Sequence, residues 1–360
     1  MQVFDCKTKI ISGADALSWL DCQQCRRLLV VADPYFRENG WADQIAGRVQ
    51  AEKRIIYDQV KPDPTVEQAA EGTALMRQEK PDLLIALGGG SAMDTAKAMV
   101  YFAGEKVKFV AIPTTSGSGS EVTNFSVLTH EGVKHPLIDR RMQPDVAIIS
   151  PELVEKLPPS LIADGGFDVL SHAAEAFVAT KADAISRALA GSAFAAAFAH
   201  LPASFRGDIL ARADMHLVSA MAGLSFSQAG LGMCHALAHS MGAVFHIPHG
   251  RLNAILLPAV ISCNSAAAIS AYAKLARLAG CSGSADTICV RNLRNGLMRL
   301  RKELRLPATL QEAGLPRQKY MRHMDAVIRE AMKDPCMETN PVKADAQLLR
   351  GVLEAVSGCG

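Results

Sequence analysis

The sequence has no long run of lysine and arginine, no uninterrupted apolar stretch of bilayer length and no low-complexity linker. Lys+Arg total 38 and Asp+Glu 36, a net charge of +2, so the concentrated basic face that nucleic-acid binding usually needs is missing. The longest apolar stretch, residues 188–199, falls short of the ~20 residues needed to cross a bilayer. The start, Met1-Gln2-Val3-Phe4-Asp5, lacks the basic segment and apolar core of a signal peptide. Neither a membrane nor a nucleic-acid partner is expected, and the chain reads as soluble and cytoplasmic. Its nine cysteines are odd in number and scattered, unlike a disulfide framework. Cys22 and Cys25 have CxxC spacing but stand alone, and read as ordinary thiols. What remains is the composition of a globular protein: 49% hydrophobic and 21% charged over 360 residues, enough for about two domains.

Two textures divide the chain. Before residue 157, short β-branched runs alternate with helical patterns: Leu28-Leu29-Val30-Val31-Ala32, Arg54-Ile55-Ile56-Tyr57, Leu83-Leu84-Ile85-Ala86-Leu87, Phe109-Val110-Ala111-Ile112 and Val146-Ala147-Ile148-Ile149. Continuous rather than alternating apolar runs suit strands buried on both faces, and intervening helices suggest parallel βαβ units. After Pro158-Pro159, alanine, leucine and methionine dominate at helical spacing, as in residues 184–201, 211–227 and 266–279. The expected fold is an α/β N-terminal dinucleotide-binding domain (1–157) with a Rossmann-like parallel sheet, followed by an all-α C-terminal metal-binding domain (158–360). The proline pair is the candidate hinge.

The first chemical signal is a strand running into Gly88-Gly89-Gly90-Ser91 and then onto a helix through Asp94-Thr95-Ala96-Lys97. Glycines let the backbone approach an anion, and a helix N-terminus offers unpaired N–H groups and a positive dipole end. This is not the GxGxxG fingerprint. A second loop, Thr114-Thr115-Ser116-Gly117-Ser118-Gly119-Ser120, follows another strand and suits a grip on pyrophosphate or nicotinamide. Asp33 closes the first long apolar run, where an acidic side chain can accept from a ribose 2′-OH and repel a 2′-phosphate.

The second signal is a set of metal-ligand residue types. Asp168 and His172 are four apart, as are His235 and His239, and His249 follows a short loop. Residues four apart share a helix face. Three imidazoles and a carboxylate suit Fe²⁺ or Zn²⁺. As a set they need a partner, because buried ionisable groups without one are expensive.

With these motifs the chain resembles the iron-containing (group III) alcohol dehydrogenase family. The matching segments run in order through most of the chain: Gly88 to Lys97, Ile112 to Thr123, Asp168-Val169-Leu170-Ser171-His172-Ala173-Ala174-Glu175, His235 to His239, and Pro248-His249-Gly250. Phe226-Ser227-Gln228-Ala229-Gly230-Leu231-Gly232 and Thr339-Asn340-Pro341 resemble the propanol/ethanol dehydrogenases of bacterial microcompartments. The resemblance implies Asp168, His172, His235 and His249 on the metal, and His239 near the nicotinamide in proton relay. It implies Gly89, Gly90, Ser91 and Asp94 on the pyrophosphate, Thr114, Thr115, Ser118, Thr123 and Phe125 on the nicotinamide side, Lys134 on the ribose and Leu153 near the adenosine. Asp33 matches the acidic residue that favours NAD. The chain departs from the family at Ser118, at Ser150, at Asp164-Gly165-Gly166 before the metal aspartate, and at Val342.

The expected reaction is reversible hydride transfer between NAD(H) and a short aldehyde or primary alcohol, with the cleft between the domains as its place and Phe125, Phe226 and Cys234 lining a small apolar pocket. A homodimer and microcompartment shell or cargo partners are implied by the resemblance. Two rivals stand beside it. A dehydroquinate synthase type of reaction, redox-neutral but NAD- and metal-dependent, would need several cations at the metal site, where only Lys181 and Arg251 occur. A catalytically silent nucleotide-binding scaffold would have lost ligands, and none is missing.

Overall fold

The computed structural model describes residues 4–131 and 133–358. They fall into two compact units that part at Leu157 and Pro158.

The N-terminal unit carries strands β1 (Lys9–Ser12), β2 (Gln24–Ala32), β3 (Gln50–Tyr57), β4 (Leu83–Gly88), β5 (Lys108–Pro113), β6 (Phe125–His130), β7 (Val133–Ile138) and β8 (Val146–Ile149). Its helices are α1 (Pro34–Glu38), α2 (Trp41–Arg48), α3 (Val66–Glu79) and α4 (Gly90–Ala103). Six strands form one parallel sheet in the order β1-β8-β5-β4-β2-β3, while β6 and β7 pair as a separate antiparallel hairpin. The apolar runs are continuous because successive side chains enter different cores. Leu28, Val30, Leu83, Ile85, Leu87, Val110 and Ile112 pack on one face with α2, and Leu29, Val31, Leu84, Ala86, Phe109 and Ala111 pack on the other with α4. All five expected strands are present. Strand β1 and the β6–β7 hairpin were not anticipated, being short or weakly apolar.

The C-terminal unit is helical: α5 (Pro159–Val178), α6 (Ala184–Phe205), α7 (Ile209–Ala229), α8 (Met233–Phe245), α9 (His249–Leu278), α10 (Asp286–Glu303), α11 (Arg317–Ala331) and α12 (Ala346–Ala355), with no strand among the described residues. Pro159 opens α5, where a missing N–H costs nothing and the fixed φ is already helical. Helix α9 is interrupted at Ala268, which has non-helical dihedrals. By length and composition α6 and α9 are apolar enough to cross a bilayer, which the longest unbroken apolar run had understated: scattered serine, glycine and asparagine break the run without lowering hydropathy much. Both pack sideways against other helices of the unit, α6 on α5 and α7, α9 on α5, α8 and α10. The eight described cysteines, Cys22 and Cys25 among them, are free thiols.

Candidate active site

In the N-terminal unit, Gly88 ends β4 with φ +155°, and a Cβ there would lie 2.4 Å from Asp33 Oδ2 and 2.5 Å from Ala92 Cβ. Only glycine fits, and Gly89 then serves as the N-cap of α4 without a side-chain cap of its own. Gly90 and Ser91 form the first turn. The side chains of Thr115 and Ser118 border this turn: a Cβ built on Gly89 would meet Thr115 Oγ1 at 3.3 Å, and one on Gly90 would meet Ser118 Oγ at 3.6 Å. The two loops expected to grip a cofactor therefore converge on one helix N-terminus. Thr114 is buried, its N–H donating to Gly88 O at 3.1 Å.

The other residues expected to contact the cofactor have partners within the chain. Asp33 Oδ2 accepts from Gly89 N at 3.2 Å, so this carboxylate braces the glycine turn, and burial raises its pKa against that bond. The Asp94 carboxylate accepts from Ser120 Oγ and Val127 N, which turns it toward the second loop rather than the anion cradle. Thr123 is buried and accepts from Lys97 Nζ at 2.9 Å; Phe125 accepts from the same Nζ through its carbonyl. Lys134 pairs with Asp63 at 2.7 Å. Leu153, 6% exposed, belongs to the sheet core.

Lys97 ends the glycine-turn motif in the sequence but was given no role there. It is 0% exposed and donates to Ser120, Thr123 and Phe125, pinning the second loop to α4. Burial lowers it to about 8 against the pull of Asp94 and Glu121, while burial lifts Asp94 to about 6 and Glu121 to about 7. Its signal was a lysine on the inward face of an otherwise apolar helix.

In the C-terminal unit three helices each bring residues at one-turn spacing to one place: Asp164, Asp168 and His172 on α5, His235 and His239 on α8, His249 and Asn253 on α9. Asp168 Oδ1 is the centre. His249 Nε2 lies 3.4 Å from it, His235 Nε2 3.6 Å and His172 Nε2 3.9 Å. Ligand atoms of Asp168, His235 and His249 all lie within 4.8 Å of one another, and His172 stands just outside that trio. The His172 ring stacks between Phe226 (4.3 Å) and His235 (4.4 Å). Burial would lift the Asp168 carboxyl, but the surrounding histidines hold it well below the usual range. His235, despite burial, is raised to about 9 by Asp168 and Glu175. The pocket of negative charge is one that stabilises a cation.

Four supporting residues, Glu175, Asn340, Asn253 and Asp334, were given no role by the sequence. Glu175, 2% exposed, accepts from His235 Nδ1 at 2.7 Å and from the backbone N–H groups of Gly232, Cys234 and His235. Helix α8 starts on glycine with no side-chain cap of its own. Glu175 and Asn340, which accepts from Met233 N, satisfy its orphan N–H groups instead. Asn253 donates to Asp168 Oδ1 at 2.8 Å and lies 3.2 Å from His249 Nε2. His239 is set slightly apart: its ring stacks on His249 at 5.1 Å and its Nδ1 lies 2.8 Å from Asp334 Oδ2, a contact that, against burial, holds Asp334 at about 2. Cys234 is fully buried with its thiol on Asn253, so it lines no open pocket.

Family models match both units: "Iron-containing alcohol dehydrogenase" over residues 7–151 and the C-terminal model of the Fe-containing alcohol dehydrogenase family over 162–356. The chain belongs to the iron-containing alcohol dehydrogenase family. It is 39% identical to the NADPH-dependent butanol dehydrogenase of Clostridium saccharobutylicum, covering 92% of this chain and 91% of that one. It is 38% identical to the 1-propanol dehydrogenase PduQ of Salmonella typhimurium, covering 98% and 99%. Among solved structures, the iron-containing alcohol dehydrogenase of Thermococcus thioreducens superposes with a TM-score of 0.90 at 30% identity, covering 99% and 100%.

Proposed function

We propose that the protein interconverts short-chain aldehydes and primary alcohols, such as propanal and 1-propanol or acetaldehyde and ethanol, with NAD(H). In this reading Asp168, His172, His235 and His249 hold Fe²⁺, with Zn²⁺ as a substitute. The observation that carries it is the gathering of three imidazole nitrogens within 3.9 Å of one buried carboxylate oxygen, a donor set for a borderline divalent ion. When bound, the ion polarises a carbonyl oxygen and the reduced nicotinamide supplies hydride.

The chain's own residues do the rest. Glu175 fixes the proton of His235 on Nδ1 and leaves Nε2 as a ligand. Asp334 does the same for His239, leaving its Nε2 as an acceptor that takes the alcohol proton, directly or through water, in the oxidation direction and returns that proton to the product oxygen in the reduction direction. Gly89, Gly90 and Ser91, with Thr115 and Ser118 beside them, take the pyrophosphate at the α4 N-terminus. Asp33 at the end of β2 supports NAD(H) over NADP(H) by its charge, although the Clostridium relative is named for NADPH. The alcohols in the relatives' names support a short aliphatic substrate. A dehydroquinate synthase reaction is disfavoured because the two nearby cations are already in ion pairs, Arg251 with Asp164 at 3.0 Å and Lys181 with Glu338 at 3.5 Å. On the resemblance to microcompartment propanol dehydrogenases, the reading extends to a cytoplasmic homodimer packaged with shell or cargo proteins; failure to co-fractionate with such shells would remove that extension.

The test is anaerobic purification, metal analysis and NADH oxidation over C2–C4 aldehydes. His249→Ala should lose metal and most turnover while still binding NADH by fluorescence. Wild-type turnover with stoichiometric metal in that variant would show the ligand assignment to be wrong.

A further inference from the structure

The C-terminal unit contains a cavity of 820 Å³ that shares no residue with the metal set. Its floor is apolar, formed by Ile255 and Pro258 of α9 with Val352 of α12, and its polar lining is dominated by Arg294, Arg301 and Lys343. We propose that this cavity binds an organic anion carrying a hydrocarbon segment, with the headgroup at the arginines and the chain on the α9–α12 floor.

The arginines are there for a reason that leaves them incompletely used. Pro258 lies inside α9 and has no N–H, so the carbonyl of Ala254 loses its helical partner. Arg301 supplies one, its Nη1 donating to Ala254 O at 3.2 Å, and Arg294 Nε donates to Pro258 O at 3.0 Å. Each guanidinium has five N–H donors, so these bonds use a small part of the capacity.

No carboxylate among the described residues reaches ion-pair distance of Arg294, Arg301 or Lys343. Arg301 is only 9% exposed, and arginines so buried are almost always paired. Burial lowers its pKa, with Glu312 acting against this from beyond contact. Glu312 is itself engaged by Ala308 N at 2.8 Å. The one acid lining the cavity, Asp345, is engaged as the cap of α12 through Leu348 N at 2.8 Å. Positive charge is therefore in excess where an apolar floor also needs cover. A bare inorganic ion would satisfy only the first need and a neutral hydrocarbon only the second. The volume lies within the range of ligand pockets, roughly 300–1,000 Å³.

The test uses the metal-loaded enzyme and sodium octanoate. Calorimetry should show saturable one-to-one binding. Octanamide and inorganic phosphate should each bind at least tenfold more weakly, and the Arg294→Gln/Lys343→Gln double variant should weaken octanoate at least tenfold. Cys263, which lines the cavity, gives a second measurement that needs no variant: octanoate should slow its alkylation by N-ethylmaleimide several-fold, read by peptide mapping. Octanoate binding that survives the double variant, competes with aldehyde and leaves Cys263 alkylation unchanged would place the anion at the metal set and overturn the proposal. So would phosphate binding as tightly as octanoate, or no saturable binding at all.

Discussion

Replacing Glu175 by glutamine keeps the side chain's shape and removes its charge and one acceptor. Oε1 accepts from Cys234 N at 2.6 Å; Oε2 accepts from Gly232 N at 3.0 Å and His235 Nδ1 at 2.7 Å. Every partner is a donor, so either orientation of the glutamine amide points an N–H at another N–H. Hydrogen bonds to a charged group contribute about 1.5–3 kcal/mol each, and a buried donor left unsatisfied costs about 1–3 kcal/mol. One bond lost and the others weakened give about 2–4 kcal/mol for the metal-free protein, or about 5–15 °C in Tm for a unit of this size. The same change lets His235 rotate or switch tautomer, and losing such a partner costs about 10–100-fold in metal affinity. Thermal melts of the metal-free protein and anaerobic Fe²⁺ competition against a chelator read the two effects separately. A variant with iron affinity within twofold of wild type and Tm within about 2 °C would refute both the capping and the tautomer role.

Asp33→Gly should raise the ratio of kcat/KM for NADPH over NADH at least tenfold, measured with one aldehyde at saturation; an unchanged ratio removes Asp33 from cofactor selection and leaves it only the bond to Gly89 N. Glu121→Gln should stabilise the protein at pH 8 and have far less effect near pH 4. Burial raises Glu121 to about 7 in the fold, above its unfolded value of about 4.3, so the native state binds the extra proton between the two. Wild-type stability should then fall as pH rises from about 4.3 to about 7 and level off above that, with up to about 4 kcal/mol separating the variants at pH 8. Denaturant melts at both pH values check this, and a pH-independent difference contradicts it.

The strands of the sheet were legible because a two-faced core demands an apolar residue at every position, which leaves an unbroken run such as Leu28 to Ala32 with no other easy reading. The β6–β7 hairpin was not, because Phe125 to Ile138 mixes Ser126, His130, Lys134 and His135 into strands that are only half covered. The glycine turn was legible for a local reason: Gly88 has a backbone no other residue adopts there. What filled the second loop was not local. Asp94 and Thr123 read as cofactor ligands by resemblance; within the chain Asp94 accepts from Ser120 Oγ and Val127 N, and Thr123 accepts from Lys97 Nζ. The Thr123 bond answers a buried lysine that needs acceptors, a demand invisible until α4 was known to face inward.

The metal set shows the same boundary between pattern and packing. The proposed ligands Asp168 and His172 stand one turn apart, as do the proposed ligand His235 and the relay candidate His239, so both pairs mark their helix faces in the sequence itself. The residues that orient them obey no such spacing. Glu175 is one turn beyond His172 and looks like any acidic residue on a helix. Only when the first turn of α8 arrives with no cap of its own does that carboxylate acquire four N–H partners, two of them on His235. This carboxylate closes a helix terminus with both of its oxygens, and the same oxygens receive the ring N–H of His235. The demand of the backbone and the demand of the metal site therefore fall on one side chain, and a substitution that relieves either should disturb both.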